Sequence, residues 1–176
     1  DLVFKGIGLR FTDPRRFGSL LWTDTDPNQH ERLKNLGPEP LEDAFDGERL
    51  FDAAHHRKSP IKTVIMNAQV VVGVGNIYAS EALFRAGIAP TRPANRISRQ
   101  RYHLLANAIK STLHQAIEMG GTTLKDFYQT DGKPGYFQQQ LNVYDRADQP
   151  CLQCGHAIVK ITQAQRSTFY CRRCQR

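Results

Sequence analysis

Every cysteine in the chain falls in its last twenty-six residues, as Cys151-x-x-Cys154, a sixteen-residue gap, and Cys171-x-x-Cys174. A Cys-x-x-Cys pair presents two thiolates from one tight turn, so two such turns complete a tetrahedral four-sulfur shell around zinc, with Zn–S near ~2.3 Å. Two disulfides are the competing reading, but turns this short close disulfides poorly and nothing in the sequence looks secreted. Between the pairs, Ala157 to Thr162 and Ser167 to Tyr170 are rich in β-branched and aromatic residues, and residues 163–166 stand where a turn belongs. The segment therefore reads as a zinc ribbon, a hairpin between two knuckles. Four protein sulfurs leave the metal no open position, so one zinc ion acts here as a staple of the fold and not as a catalyst.

Charge sharpens that reading. The net charge is +7, unevenly spread: residues 1–52 hold seven basic and eleven acidic groups, and residues 53–120 nine basic and two acidic. The cysteine-bearing segment adds Lys160, Arg166, Arg172, Arg173 and Arg176 with no acid. Basicity concentrated in the middle and the tail suits a phosphate-binding surface, and nucleic acid is the expected partner. Arg166, expected at the hairpin tip, reads equally as a phosphate contact or as a solvated charge. No apolar run approaches the ~18 residues of a membrane span, so a soluble, intracellular protein is expected.

Taken in order, the chain opens on Asp1-Leu2-Val3-Phe4, without an initiator Met and directly in a strand-like pattern, which reads as a fragment beginning inside a domain. Gly6 and Gly8 interrupt that pattern, Asp13-Pro14 makes a turn, and Phe17 to Trp22 resumes an apolar strand. The turn exposes Arg15, Arg16 and Phe17. An aromatic side chain flanked by arginines can wedge into a base stack, although the local pattern favours Phe17 as the first core residue of the next strand. Residues 24–52 are acidic and turn-rich; Leu36 to Leu41, with two prolines, reads as a stiff connection near a domain boundary. Helical spacing then takes over. Pro60 to Asn67 forms one short helix, with Arg57, Lys58 and Lys62 on or just ahead of it. Gly73-x-Gly75 leads into a helix with Ile77, Ala79 or Ser80, Leu83 and Phe84 on its apolar face and its stop at Gly87. A dinucleotide fingerprint fails there, because Tyr78 stands where a third glycine is needed and no acid follows at the ribose-binding distance. Asn76 reads either as an ordinary cap or as part of a helix N-terminus offered to a phosphate. Residues 98–120 make the longest helix, capped by Ser98, with Leu105, Ile109, Leu113 and Ala116 or Ile117 buried and Gly120-Gly121 as its stop. The Gly- and Pro-rich stretch that follows reads as a long mobile loop, of the kind that in compact domains is either functional or disordered.

Six fragments in order carry a resemblance: DPRRFG (Asp13 to Gly18), LGPEPL (Leu36 to Leu41), VVGVGNIYASEALF (Val71 to Phe84), GGTTLKDF (Gly120 to Phe127), DGKPGYF (Asp131 to Phe137) and the ribbon with QRSTFYCRRCQ. They span nearly the whole chain, which closely resembles the C-terminal two-thirds of the bacterial formamidopyrimidine-DNA glycosylases, enzymes that remove 8-oxoguanine and ring-opened purines. The resemblance implies an α+β multidomain fold: the last strands of a β-sandwich (residues 1–45), a mostly helical helix-two-turn-helix domain (46–140, with a lesion loop at 122–137) and the zinc ribbon (141–176). It implies damaged double-stranded DNA as the partner of a monomeric, cytoplasmic, nucleoid-associated bacterial protein. Residue by residue, Arg15 would face the orphaned cytosine and Phe17 wedge the stack; Arg57 and Lys62 fall at DNA-contacting positions, Arg57 in place of a lysine. Asn76 would bind phosphate, Thr122 and Lys125 belong to the loop over the everted base, and Arg166 would grip the lesion phosphates and assist δ-elimination.

One departure matters. The family's nucleophile is an N-terminal proline followed by a glutamate, with an assisting lysine, and none of them is in these residues. A secondary amine attacks the sugar C1′, expels the base and forms an iminium from which the phosphates leave by elimination. The expectation is an intact glycosylase/lyase of which this chain alone binds DNA without turnover. Two rivals stay open: an endonuclease VIII-type enzyme for oxidised pyrimidines, and a non-enzymatic zinc-ribbon DNA-binding module.

Overall fold

The computed structural model describes residues 1–13, 16–121 and 141–176, and divides into two units, Asp1–Lys34 and Asn35–Arg176. In the first unit, β1 (Leu2–Phe4) pairs antiparallel with β2 (Ile7–Leu9), Leu2 opposite Leu9 and Phe4 opposite Ile7. Gly6 at φ +79° supplies the left-handed residue that reverses the chain. The expected strand from Phe17 to Trp22 does not form; those residues carry no regular secondary structure. A strand needs a ladder partner, and among the described residues β1 and β2 pair only with each other. Phe17 is accordingly not a core residue: it is 80 % exposed, and Trp22 92 %.

The second unit begins at the double-proline segment. Rather than running free as a connection, Gly37 donates its N–H to the Ala68 carbonyl at 2.7 Å, and the Pro38 carbonyl accepts from Val72. A Cβ on Gly37 would lie 2.7 Å from the Val70 carbonyl carbon, so only glycine permits this approach. Among the described residues four α-helices follow: α1 (Gly47–Ala54), α2 (Ile61–Ile65), α3 (Asn76–Arg85) and α4 (Arg99–Glu118). Asp46 caps α1 through its carboxylate, which accepts from the Arg49 N–H at 2.8 Å. α4 buries Tyr102, Leu105, Ala106, Ile109, Leu113 and Ala116 against α1 and α3, while Ile117 turns outward at 63 % exposed. Ser98 is the N-cap of α4 in extended conformation, but its side chain accepts no capping hydrogen bond. Gly87 (φ +66°) and the Gly120-Gly121 pair (φ +71° and +87°) end α3 and α4.

The ribbon pairs β3 (Val159–Gln163) with β4 (Arg166–Tyr170). Each strand runs one residue further into the turn than expected, although β3 starts at Val159 and not at Ala157, because Ala164 and Gln165 both take positive φ (46° and 61°) and make a two-residue turn of the primed type that matches strand twist. Arg166 thus opens β4 opposite Gln163 and is not the tip itself. α3 joins the two parts of this unit: Ala79, Ala82 and Leu83 enter the helical core, while Phe84 packs with Val143, Ile158, Phe169, Cys151 and Cys171 of the ribbon. The last residues clasp the same edge, Arg176 donating its N–H to the Gly87 carbonyl at 2.9 Å and Arg101 donating to both the Gly87 and Arg176 carbonyls.

Candidate nucleic-acid interface and zinc centre

The two knuckles bring all four cysteine sulfurs within 4.8 Å of one another. Cys151 and Cys174 sulfurs stand 3.9 Å apart and those of Cys154 and Cys171 3.4 Å, bracketing the ~3.8 Å edge of a tetrahedron built on Zn–S bonds of ~2.3 Å. Each knuckle is closed by backbone: Gly155 donates to the Cys151 carbonyl at 2.8 Å and Gln175 to that of Cys171 at 3.0 Å. Gly155 adopts φ +75° in the first knuckle. The second has no glycine, and there the buried Gln175 side chain accepts from the Cys171 N–H at 2.9 Å and donates to the Ile88 carbonyl, tying the metal loop to the helical body. The residues fit one structural zinc ion. Without metal, burial and hydrogen bonds from the other three cysteines push the Cys174 thiol up to about 12, so zinc binding must expel protons.

Between ribbon and helices lies a polar junction that centres on Lys62 and Asn76. Lys62, in the first turn of α2, is only 2 % exposed. Its ammonium donates to Asn76 Oδ1 at 2.7 Å, Thr168 Oγ1 at 2.7 Å and the Ser167 carbonyl at 3.2 Å. Asn76 Nδ2 donates in turn to the Ser167 carbonyl at 3.0 Å and to the Tyr144 hydroxyl at 3.3 Å. Burial first, and then the nearby Arg166 charge, lower Lys62 to about 8. Asn76 is not the cap of α3: Gly75 occupies that position and Asn76 is the first helical residue, its side chain directed to the ribbon. Lys62, Thr63, Met66, Asn67, Gln163, Ala164 and Arg166 line an open cleft of about 260 Å³, with Arg166 exposed at its edge.

The structure thus groups three of the residues singled out by sequence, Lys62, Asn76 and Arg166. Arg57 stands apart from that cleft, half-buried beyond the end of α1, its Nε donating to the Ala53 carbonyl at 3.0 Å and its own carbonyl accepting from Asn95. Phe17 lies in the first unit. Arg15, Thr122, Lys125 and the expected loop at 122–137 fall outside the described residues. Sequence reasoning missed Tyr144, Ser167 and Thr168, which complete the junction. It also missed Glu81, which is fully buried in α3. Glu81 Oε2 accepts from the backbone and side-chain N–H groups of Asn142, and Oε1 from the N–H groups of Val143 and Tyr144, all at 2.9 Å. Its signal was available: it is one of only two acids in residues 53–120.

A helical body whose helix α3 also packs on the flank of a four-cysteine ribbon defines a class, a helical domain with an appended zinc finger. Residues 36–128 match the H2TH domain of formamidopyrimidine-DNA glycosylase, and residues 148–176 match a zinc finger found in FPG and IleRS. The chain belongs to the formamidopyrimidine-DNA glycosylase family. It is 57 % identical over 177 residues to the formamidopyrimidine-DNA glycosylase of Methylococcus capsulatus, covering 100 % of this chain and 65 % of that protein. With the enzyme of Pseudomonas putida GB-1 it shares 59 % over 172 residues, 98 % of this chain and 63 % of the relative. The chain therefore spans a little under two-thirds of these relatives. Among solved structures, the MutM (Fpg) protein of Thermus thermophilus superposes with TM-score 0.86 at 40 % identity, over 93 % of this chain and 62 % of that one. A Lactococcus lactis Fpg mutant bound to DNA containing Fapy-dG gives 0.75 at 33 %, over 81 % and 52 %.

Proposed function

We propose that these residues are the DNA-gripping portion of a base-excision repair enzyme that removes 8-oxoguanine and formamidopyrimidines and nicks the abasic site by β,δ-elimination. The observation that carries the reading is the junction just described, where an exposed Arg166 and the Asn76 amide stand at the seam between helical body and ribbon, on a chain of net charge +7. Related Lactococcus lactis Fpg structures contain Fapy-dG DNA and abasic-site DNA, and a MutM structure contains carbocyclic 8-oxo-G DNA, which supports damaged duplex DNA as the ligand.

In this reading Arg166 holds a phosphate that flanks the lesion, half-buried Asn76 joins it by exchanging its long bond to the Tyr144 hydroxyl (3.3 Å) for a phosphate oxygen, and Arg57 extends the contact along the helical body. A guanidinium suits that role because its planar fork keeps its charge and can meet a phosphate through two N–H groups. Arg15 and Phe17 fill the space left by the flipped nucleotide, and Thr122 and Lys125 belong to the loop that closes over the everted base. Held against the sugar phosphates, Arg166 stabilises the charge on the departing phosphate during δ-elimination. The zinc ion supplies no chemistry to any of these steps; it holds the hairpin that carries Arg166. The amine that attacks C1′ in the family is not among these residues, so the chain by itself binds without turnover.

The test is borohydride trapping of this chain on a duplex with 8-oxoguanine opposite cytosine, beside the same duplex with an abasic site, together with a binding titration across salt. A retarded abasic complex without covalent adduct, whose affinity falls steeply with salt, is expected. A trapped adduct would overturn the non-catalytic assignment, and a flat salt response would overturn the phosphate grip.

A further inference from the structure

We propose that Lys62 is a positioning residue: its buried ammonium ties the ribbon strand that carries Arg166 to the first turn of α3, setting Arg166 beside Asn76, and it does not itself touch nucleic acid. For its effect on binding, this rests on the DNA-gripping role given above.

The donor inventory is the first argument. A lysine ammonium has three N–H groups, and all three have acceptors here, at 2.7, 2.7 and 3.2 Å. With Lys62 2 % exposed and no donor left free, a phosphate could reach the group only by displacing one of these bonds. Where the bonds lead is the second. Asn76 is 14 residues away in sequence, while Ser167 and Thr168 are 105 and 106 residues away, immediately after Arg166. Asn76 closes the triangle by donating to the same Ser167 carbonyl. One side chain thus sets the spacing between the two groups assigned to the phosphates. The third argument is energetic. Among the described residues no carboxylate pairs with Lys62, so its charge is buried against neutral acceptors, an arrangement that an apolar side chain of similar volume usually matches or improves in stability. What an apolar residue cannot do is satisfy Asn76 Oδ1, Thr168 Oγ1 and the Ser167 carbonyl together, and those bonds define the register of β4 on the helical body.

The experiment uses the zinc-loaded chain as wild type, Lys62→Met, Thr168→Val, Arg166→Ala and the Lys62→Met/Arg166→Ala double variant. Amide hydrogen exchange is followed without DNA, and affinity is measured for a duplex carrying a tetrahydrofuran abasic analogue. Lys62→Met and Thr168→Val are expected to speed exchange at residues 166–169 by about tenfold or more, while Arg166→Ala leaves those amides unchanged. Lys62→Met is expected to weaken binding about tenfold in the wild-type background and by less than about threefold when Arg166 is already absent, since it acts through that residue. Thr168→Val keeps the lysine charge and still weakens binding, which also decides the matter should Lys62→Met fail to hold zinc. Additive losses for Lys62→Met and Arg166→Ala, with unchanged exchange and a neutral Thr168→Val, would make Lys62 a phosphate ligand in its own right and overturn the proposal. A wild type that does not bind the duplex would defeat the DNA-gripping role, and the exchange measurements would still decide whether Lys62 positions β4.

Discussion

Replacing Glu81 by Gln is the most informative single perturbation of the helical unit. The carboxylate is fully buried and accepts four hydrogen bonds of 2.9 Å, three of them from consecutive backbone N–H groups at residues 142–144. A glutamine amide offers one oxygen, enough for two of the four donors, and turns an NH₂ group toward the other two. Two buried N–H groups then lose their acceptor, at about 1–3 kcal/mol each. The remaining pair loses its charge assistance, roughly 1 kcal/mol in total. The sum is about 5 kcal/mol, and for a unit of this size each kcal/mol moves the thermal midpoint by roughly 2–4 °C, so a fall of about 10–20 °C is expected. Calorimetry of the zinc-loaded chain measures it, and hydrogen exchange should report the loss first at 142–144, where the Tyr144 hydroxyl that meets Asn76 is anchored. A midpoint within about 3 °C of wild type would refute the reasoning, since it would mean these donors find other acceptors at little cost.

Three further outcomes follow from the same geometry. Chelation should remove one zinc per chain and unfold the ribbon, exposing Phe84 and Phe169; near-ultraviolet circular dichroism with metal analysis would reveal it, and retention of the hairpin without metal would contradict the staple role. Gly47 meets His103 where α1 crosses α4, and a Cβ there would overlap the His103 backbone. Gly47→Ala should therefore destabilise the unit by about 1–3 kcal/mol in denaturant titration, despite alanine's better helix propensity. Lys62 lies at about 8 when folded against an ordinary 10.5. Between those values the unfolded chain holds a proton that the folded chain has released, so this group's contribution to stability is lowest below pH 8 and rises toward pH 10.5, by at most about 1.4 kcal/mol per pH unit. Comparing wild type with Lys62→Met from pH 7 to 10 isolates the rise from other titrations, and identical slopes would count against the assignment.

Much of the second unit was legible because its signals are local. Two Cys-x-x-Cys turns can hardly do anything but gather four sulfurs, since the chain between them is a hairpin of β-formers. Gly73 and Gly87, at φ +75° and +66°, bracket α3 because a helix that begins and ends sharply needs residues free to take left-handed φ. α4 was readable from its stripe, and of the two residues left open at its end the fold buries Ala116 and turns Ile117 outward, where the 3.6-residue period has drifted off the core. The Phe17 to Trp22 pattern shows the limit of such reading: alternation and β-propensity state what a strand could be made of, but only a neighbouring ladder makes one.

The site divides in the same way. Charge, cysteine spacing and motif order determined by themselves that the chain carries a zinc ribbon on a basic helical body. They marked Lys62, Asn76 and Arg166 as polar residues worth watching, and could not rank them. Burial did that, and burial is a property of contacts more than 100 residues apart in the chain. Only the packing of β4 against α2 and α3 turned Lys62 inward, used all three of its donors and left Arg166 at the surface. A lysine on a helix facing water and a lysine locked under a strand have the same sequence, because the cost of desolvating the charge depends on what the rest of the fold brings to meet it.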